Sequence, residues 1–278
     1  MPILCKERGS KQLADPLCGA VLVAMNEEGV IQGCIESLKN QTVQVFLVVV
    51  NDGSTDKTGE IASKYADFVV NLPLHEESWA GRPELARVFN AGFDVLKKKD
   101  SAYVLISGAD GVYPSNYVEE VISRMRRERA VLASGVAEGE STHSLSPRGS
   151  GRVLNAAWFR SVGFKYPENY GFEVYLVYKA LSQHLKVSVF SDLKFKLSRK
   201  TELSKKKSYF WGKGMKALNY WWLYAAGRSV LASAKRPANG LAMLEGYLSD
   251  VPTRYEDIKE FVHEFQKRMF VRRLHEIL

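Results

Sequence analysis

Three short stretches of this 278-residue chain put carboxylates where chemistry could use them. Asn51-Asp52-Gly53-Ser54-Thr55-Asp56 follows directly on the apolar run Phe46-Leu47-Val48-Val49-Val50. A structural turn needs about two such small polar residues. Six in succession, two of them acids, indicate that more than a turn is being made. Met25-Asn26-Glu27-Glu28 follows the apolar Val21–Ala24 in the same way, and Gly108-Ala109-Asp110-Gly111 follows Tyr103–Ser107. A carboxylate at such a position can accept hydrogen bonds from the N–H edge of a base or the hydroxyls of a ribose. Helix capping accounts for Ser54, Thr55 and Asp56, with Ser54 or Thr55 as the cap and Asp56 in the first turn. It leaves Asn51 and Asp52 unexplained.

These loops need elements to hold them. Apolar runs of four to six residues predict strands at Ala20–Ala24, Val45–Val50, Phe68–Asn71, Tyr103–Ser107 and Val131–Ser134. Helical spacing predicts helices at Glu28–Lys39, Thr55–Ala66, Pro83–Lys98, Asn116–Arg127 and Glu173–Ser182. The strands are apolar on both faces, which is the pattern of a buried, mostly parallel sheet flanked by helices: an α/β fold. In such sheets ligands bind beyond the carboxyl ends of the strands. Three acid-bearing strand ends in sequence order therefore predict one shared rim.

After about Leu185 the rhythm changes. A strand-like Val187–Phe190 and an alternating Leu193–Leu197 lead into a basic, aromatic segment with Tyr209, Phe210, Trp211, Tyr220, Trp221, Trp222 and Tyr224. The tail from Tyr255 to Leu278 reads as a charged amphipathic helix. The expected organisation is an extension over 1–17, an α/β domain over 18–198 and a largely helical region over 199–278.

Composition narrows the class. Hydrophobic residues make up 46% and charged residues 25%, which excludes global disorder. Cys5, Cys18 and Cys34 form no metal-type pair and fit a reducing compartment. The first residues lack the apolar run of a signal peptide. The longest apolar stretch, Ala217–Ala234, is interrupted by Arg228; it reads as an in-plane helix or as one packed on the core. The formal net charge is +8, and it is concentrated: Lys194 to Arg236 holds twelve Lys or Arg and one acid, Glu202. Such a segment suits phosphates of a lipid, a nucleotide or a nucleic acid. Neither a dinucleotide fingerprint nor a P-loop is present. Met25-Asn26-Glu27-Glu28-Gly29 after the first predicted strand also argues against a nucleotidyltransferase, which needs a glycine-rich basic loop there.

The three motifs, in this order and spacing, resemble those of the GT-A fold glycosyltransferases of family 2, over roughly residues 18 to 205. That resemblance implies a nucleotide-sugar donor, a UDP- or GDP-sugar, with Asn26, Glu27 and Asp52 holding the nucleoside. It implies that Asp110 is the metal-binding acid of a D-x-D motif, with Mg²⁺ or Mn²⁺ as cofactor. Gly108 stands where the family's first Asp would be, so the metal would rest on Asp110, diphosphate and water, or draw on a residue such as His75. Gly171-Phe172-Glu173-Val174-Tyr175-Leu176 matches the acidic motif that opens a helix in the family. It implies that Glu173 is the catalytic carboxylate of an inverting transfer, with Phe172 and Tyr175 replacing other acids. Arg199, Ser204 and Lys205 are similar in spacing to a motif of the dolichol-phosphate mannose synthase type, with Glu202 in place of a glycine. Arg199 and Lys205 would then face phosphate, and the acceptor would be a glycan or a polyprenyl phosphate. Lys205-Lys206-Lys207 beside Tyr209-Phe210-Trp211 fits a peripheral seat on the cytoplasmic membrane face. The competing expectation is an inactive scaffold of the same fold whose basic aromatic segment binds nucleic acid or anionic membrane.

Overall fold

The structure is a computed structural model that describes residues 3–4, 17–140, 145–199 and 204–277. The chain forms two compact units. One comprises Met1–Ser78, Arg87–Tyr166 and His184–Lys200; the other comprises Trp79–Ala86, Pro167–Gln183 and Thr201–Leu278.

The first unit holds β1 (Ile3–Leu4), β2 (Cys18–Ala24), α1 (Ile31–Lys39), β3 (Val45–Asn51), α2 (Thr58–Tyr65), β4 (Phe68–Asn71), α3 (Glu84–Leu96, from Arg87 onward), β5 (Tyr103–Gly108), β6 (Gly111–Val112), α4 (Tyr117–Glu128), β7 (Ala130–Ala137), β8 (Arg152–Asn155) and α5 (Ala156–Ser161). After α6 (Phe172–Ser182) of the second unit comes β9 (Lys186–Leu197), again in the first. Among the described residues the strands form one sheet in the order β1-β4-β3-β2-β5-β8-β7-β9-β6. The pairs β4–β3, β3–β2 and β2–β5 are parallel, as are β7 and β9. β8 runs antiparallel to both β5 and β7.

Alternation along the strands explains why both faces are covered. Ala20, Leu22 and Ala24 of β2 join Leu47 and Val49 of β3 in a core with Ile31, Ile35 and Leu38 of α1 and Val118, Val121 and Ile122 of α4. On the opposite face, Val21 and Val50 meet Gly92 of α3 so closely that a Cβ there would lie 2.5 Å from a Val21 methyl. Cys18 and Cys34 are buried free thiols of this unit, and burial pushes both up to about 12.

β8 was not predicted. It is four residues long and opens on Arg152, whose charge hides the apolar pattern. Arg152 is 2% exposed, and its guanidinium donates to the carbonyls of Pro147 and Arg148. Val187–Phe190 and Leu193–Leu197, read as separate runs, are one strand, β9.

The second unit holds α6, then α7 (Lys205–Ala217), α8 (Trp222–Lys235), α9 (Pro237–Leu248), a 3₁₀ turn over Glu256–Ile258 and α10 (Lys259–Ile277). The apolar stretch Ala217–Ala234 is thus not one helix. α7 ends at Ala217, Asn219 adopts a left-handed turn with φ 55°, and α8 begins at Trp222. No helix among the described residues is long and apolar enough to cross a membrane. Tyr178, Tyr255, Ile258 and Val262 form part of this unit's core, against which Phe261 and Phe265 pack.

The Gly92 contact sets helix propensity against packing. Alanine in a helix is worth about 1 kcal/mol over glycine, but the forced overlap with Val21 and Val50 costs about 1–3 kcal/mol. Gly92→Ala is expected to lower stability by about 1 kcal/mol and Gly92→Val by more, read from urea unfolding midpoints.

Candidate functional site

The three acidic loops leave the carboxyl ends of three adjacent parallel strands. Ala24 of β2 pairs with Asn51 of β3, and Val23 of β2 with Gly108 of β5. Strands lie about 4.8 Å apart, so the ends of β3 and β5 are separated by about 10 Å. That is the distance scale from a nucleobase to its diphosphate. The Asp52 N–H donates to the Ala24 carbonyl at 2.8 Å, which ties the second loop to the end of the first strand.

Those two loops are stitched together. The Asn26 side-chain oxygen accepts from the Thr55 backbone N–H at 2.8 Å, and the Asn26 N–H donates to Ser54 Oγ at 3.0 Å. Glu27 N–H donates to Thr58 Oγ1 at 2.7 Å, and Glu28 N–H to Asp56 at 3.1 Å. Asn26 sits at φ 53°, a left-handed conformation that asparagine tolerates better than most residues. This corrects the capping assignment. α2 starts at Thr58 rather than Thr55, so Ser54 and Thr55 bind Asn26 instead of capping a helix; Asp56 does accept the Thr58 N–H at 2.9 Å.

Asp52 is 5% exposed and faces His75, with Nε2 to Oδ1 3.0 Å apart. The other ring nitrogen, Nδ1, lies 2.8 Å from the Glu77 carbonyl. A neutral imidazole has a single N–H, so the tautomer decides which of the two oxygens receives it. Burial raises the Asp52 carboxyl above its ordinary range, and the His75 contact works against that rise. Both ring nitrogens of His75 thus face protein oxygens. Gly53 makes the approach feasible: at φ 65° it is in glycine territory, and a Cβ would lie 2.6 Å from the Pro73 carbonyl. Asn51, whose place before the cap was unexplained, bonds Asn71 across β3 and β4 at 2.9 Å.

Asp110 lies in the tight connection from β5 to β6, and its carbonyl accepts the Ser198 N–H at 2.8 Å. This joins the third loop to the end of β9, from which Arg199 extends. Arg199 Nη2 donates to Glu27 Oε1 at 2.6 Å, and its Nε lies 3.9 Å from Asp110 Oδ2. Glu27, Asp110 and Arg199 therefore meet at one place, although 172 positions separate Glu27 from Arg199. Ser150 Oγ accepts the Gly108 N–H at 3.0 Å, and a Cβ on Gly108 would come within 3.3 Å of both Ser150 and Asp110. Sequence reasoning missed Ser150 and the Asp52–His75 pair; neither carries a local signal, because each contact is made by distant loops.

Among the described residues no group of three or more His, Cys, Asp and Glu side chains could hold a metal by itself. Asp110 offers a hard oxygen donor with a partly exposed side chain. That fits a Mg²⁺- or Mn²⁺-class cation completed mainly by diphosphate and water, and does not fit a resident ion in an all-protein cage.

Glu173 and Lys205 belong to the second unit. Glu173 is in the first turn of α6, after a left-handed Gly171 with φ 73°, and is partly exposed. Its neighbours in the motif have packing roles: Phe172 is buried, and Tyr175 stacks on Tyr255 and donates to Asp257 at 2.9 Å. Lys205 is the exposed first residue of α7, and Ser204 is that helix's cap, accepting the Lys207 N–H. Residues 200–203, including Glu202, lie outside the described residues.

The model of glycosyl transferase family 2 matches residues 20–180. The chain belongs to this family. Its curated relatives include the glycosyltransferase GlyA of Streptococcus pneumoniae, 29% identical over 44% of this chain and 17% of the relative. The uncharacterized glycosyltransferase YibD of Escherichia coli is 39% identical over 30% of this chain and 23% of the relative. The chain thus matches less than a quarter of either relative's length. Among solved structures, the mannosyltransferase PcManGT of Pyrobaculum calidifontis, in complex with GDP-Man and Mn²⁺, superposes with a TM-score of 0.57 at 13% identity, covering 87% of this chain and 73% of that one. TarS of Staphylococcus aureus, in complex with UDP, gives 0.53 at 18% identity, covering 72% and 64%. The expected GT-A fold is therefore the fold of this family 2 chain.

The Asp52–His75 pair generates a pH prediction. Were Asp52 to accept a base N–H, donor affinity would fall as the carboxyl protonates, beginning at higher pH than for an ordinary aspartate. His75 holds that rise in check. His75→Leu is expected to move the acid limb of donor 1/KM toward higher pH, and an unmoved limb would show that the pair does not govern donor binding.

Proposed function

We propose that this family 2 chain is an inverting glycosyltransferase that takes a UDP- or GDP-sugar and passes the sugar to a glycan or polyprenyl-phosphate acceptor. The observation that carries this reading is the row of acid-tipped parallel strand ends, β3, β2 and β5, with Asp52 at one end and Asp110 at the other. GDP-Man and UDP in the similar structures support the donor class.

In this reading Asp52 accepts the N–H edge of the base. Asn26, with its side chain committed to Thr55, shapes the nucleoside site, and Glu27 lines it. Arg199, held at the rim by Glu27, offers its remaining N–H donors to the diphosphate, and Lys205 adds a point charge. Asp110 would hold Mg²⁺ or Mn²⁺ together with the diphosphate, and a bound cation supplies charge against the leaving phosphates. An acceptor hydroxyl attacks the anomeric carbon on the face opposite the diphosphate. The new C–O bond forms as the bond to the diphosphate breaks, and Glu173 takes the hydroxyl proton. A phosphate acceptor is already ionised, and Glu173 then positions it. In the same reading residues 18–198 are the donor-binding domain and residues 199–278 meet the acceptor, at the cytoplasmic face of a membrane.

Nucleotide release from a panel of UDP- and GDP-sugars with Mn²⁺ tests this. Asp110→Ala is expected to abolish release, and Asp52→Ala to raise the donor KM by about tenfold to a hundredfold, the loss of one or two strong hydrogen bonds. Full activity in Asp110→Ala defeats the metal assignment. Glu173→Gln is expected to lower kcat on hydroxyl acceptors by about 10²–10⁴ and to spare a phosphate acceptor; equal loss on both would remove Glu173 from the base role.

A further inference from the structure

We infer that the outward face of α8 and α9 docks on an anionic lipid bilayer. This deepens the membrane reading above by naming the surface, and its test does not depend on sugar transfer. α9 is turned inside out for a water-exposed helix. It buries Asn239, Gly240, Ala242, Met243 and Gly246, and presents Leu241, Leu244 and Leu248 to solvent, with Leu241 and Leu248 each 68% exposed. Their spacing of three and four residues makes one stripe. A surface helix of a globular protein normally buries such a stripe.

The small residues face inward because the helix backbones are in contact. A Cβ on Gly246 would overlap the Tyr209 carbonyl of α7, and one on Gly212 of α7 would overlap the Met243 carbonyl. A Cβ on Gly240 would overlap Ser233 of α8. Small residues at the closest helix approach, beside the buried Met215 and Met243, with leucines outward make an arrangement that suits a lipid surround. α8 continues the pattern with Val230 and Leu231 exposed and Trp222 63% exposed, and Trp211 of α7 is exposed as well. Tryptophan favours the headgroup level of a bilayer.

Charge decides the occupant. From Ser204 to Leu248 the chain has eight Lys or Arg and one acid, Glu245. Lys206, Lys207 and Arg236 are exposed. A second copy of this face would bring like charges together, and a nucleic acid has no use for a leucine stripe. An anionic bilayer answers both features: the cations draw it in and the leucines enter it. With 14 and 12 residues, α8 and α9 are too short to span about 30 Å of hydrocarbon, so they lie in the interface plane.

Flotation of the full chain with phosphatidylcholine vesicles, with and without phosphatidylglycerol, tests this. Binding is expected only to the phosphatidylglycerol vesicles, weakening with salt. The triple variant Leu241→Glu, Leu244→Glu, Leu248→Glu, at positions exposed enough to keep the fold, is expected to lose about a hundredfold or more in vesicle affinity. Its circular dichroism and donor hydrolysis are expected to match the parent. Equal vesicle binding by the triple variant, no binding by the parent, or a parent dimer that the variant dissolves would overturn the proposal. Vesicle binding by a parent that turns over no nucleotide sugar leaves the docking face standing and removes the transferase reading alone.

Discussion

The site depends on the parallel pairing of β3, β2 and β5. Parallel strands send all their carboxyl ends to the same edge, and the chain must leave each end through a loop there. Whatever those loops carry becomes one rim. The register fixes the row, since Ala24 lies beside Asn51 and Val23 beside Gly108. Burial enforces the register: β2 is covered by α1 and α4 on one face and by Gly92 of α3 on the other, so a one-residue slip would turn every side chain to the wrong layer.

On that frame the loops hold each other. Asn26 fixes Thr55 and Ser54, Thr58 fixes the Glu27 backbone, and Asp56 fixes that of Glu28. Most small polar residues in the two motifs are thus consumed in positioning. The charged groups outside that stitching are Asp52 beside His75, and Glu27 and Asp110 beside Arg199. A buried carboxylate is costly, and Asp52 has a potential cation, His75, beside it, while the partly exposed Glu27 and Asp110 lie beside Arg199. Such partners lower the cost of holding charge there.

The second unit obeys a different packing rule. Its aromatic residues make a conventional core around Tyr178, Tyr255 and Val262. α7, α8 and α9 approach most closely at glycine and serine, bury Met215, Ala225 and Met243 in a small cluster of their own, and leave leucine, valine and tryptophan outward. A helix has one stripe for its neighbours and one for its surroundings; methionine fills part of the first here, and leucine goes to the second.

Local pattern was enough for most of the first unit. β4 matches its predicted bounds, and the apolar runs at β2, β3 and β5 found their strands within a few residues, because a buried parallel strand must be apolar throughout. The acidic strand ends were legible for the same reason: a polar cluster directly after such a run can only sit at the sheet's edge. The start of α2 was misread, since Ser54 and Thr55 look like caps until Asn26 is brought beside them. β8 was invisible because Arg152, satisfied by carbonyls from its own loop, breaks the apolar signature. The Arg199–Glu27 pair, the Asp52–His75 pair and the outward leucines of α9 belong to tertiary structure alone. Each depends on which distant segment, or which medium, a side chain meets, and the spacing of residues along a chain does not contain that information.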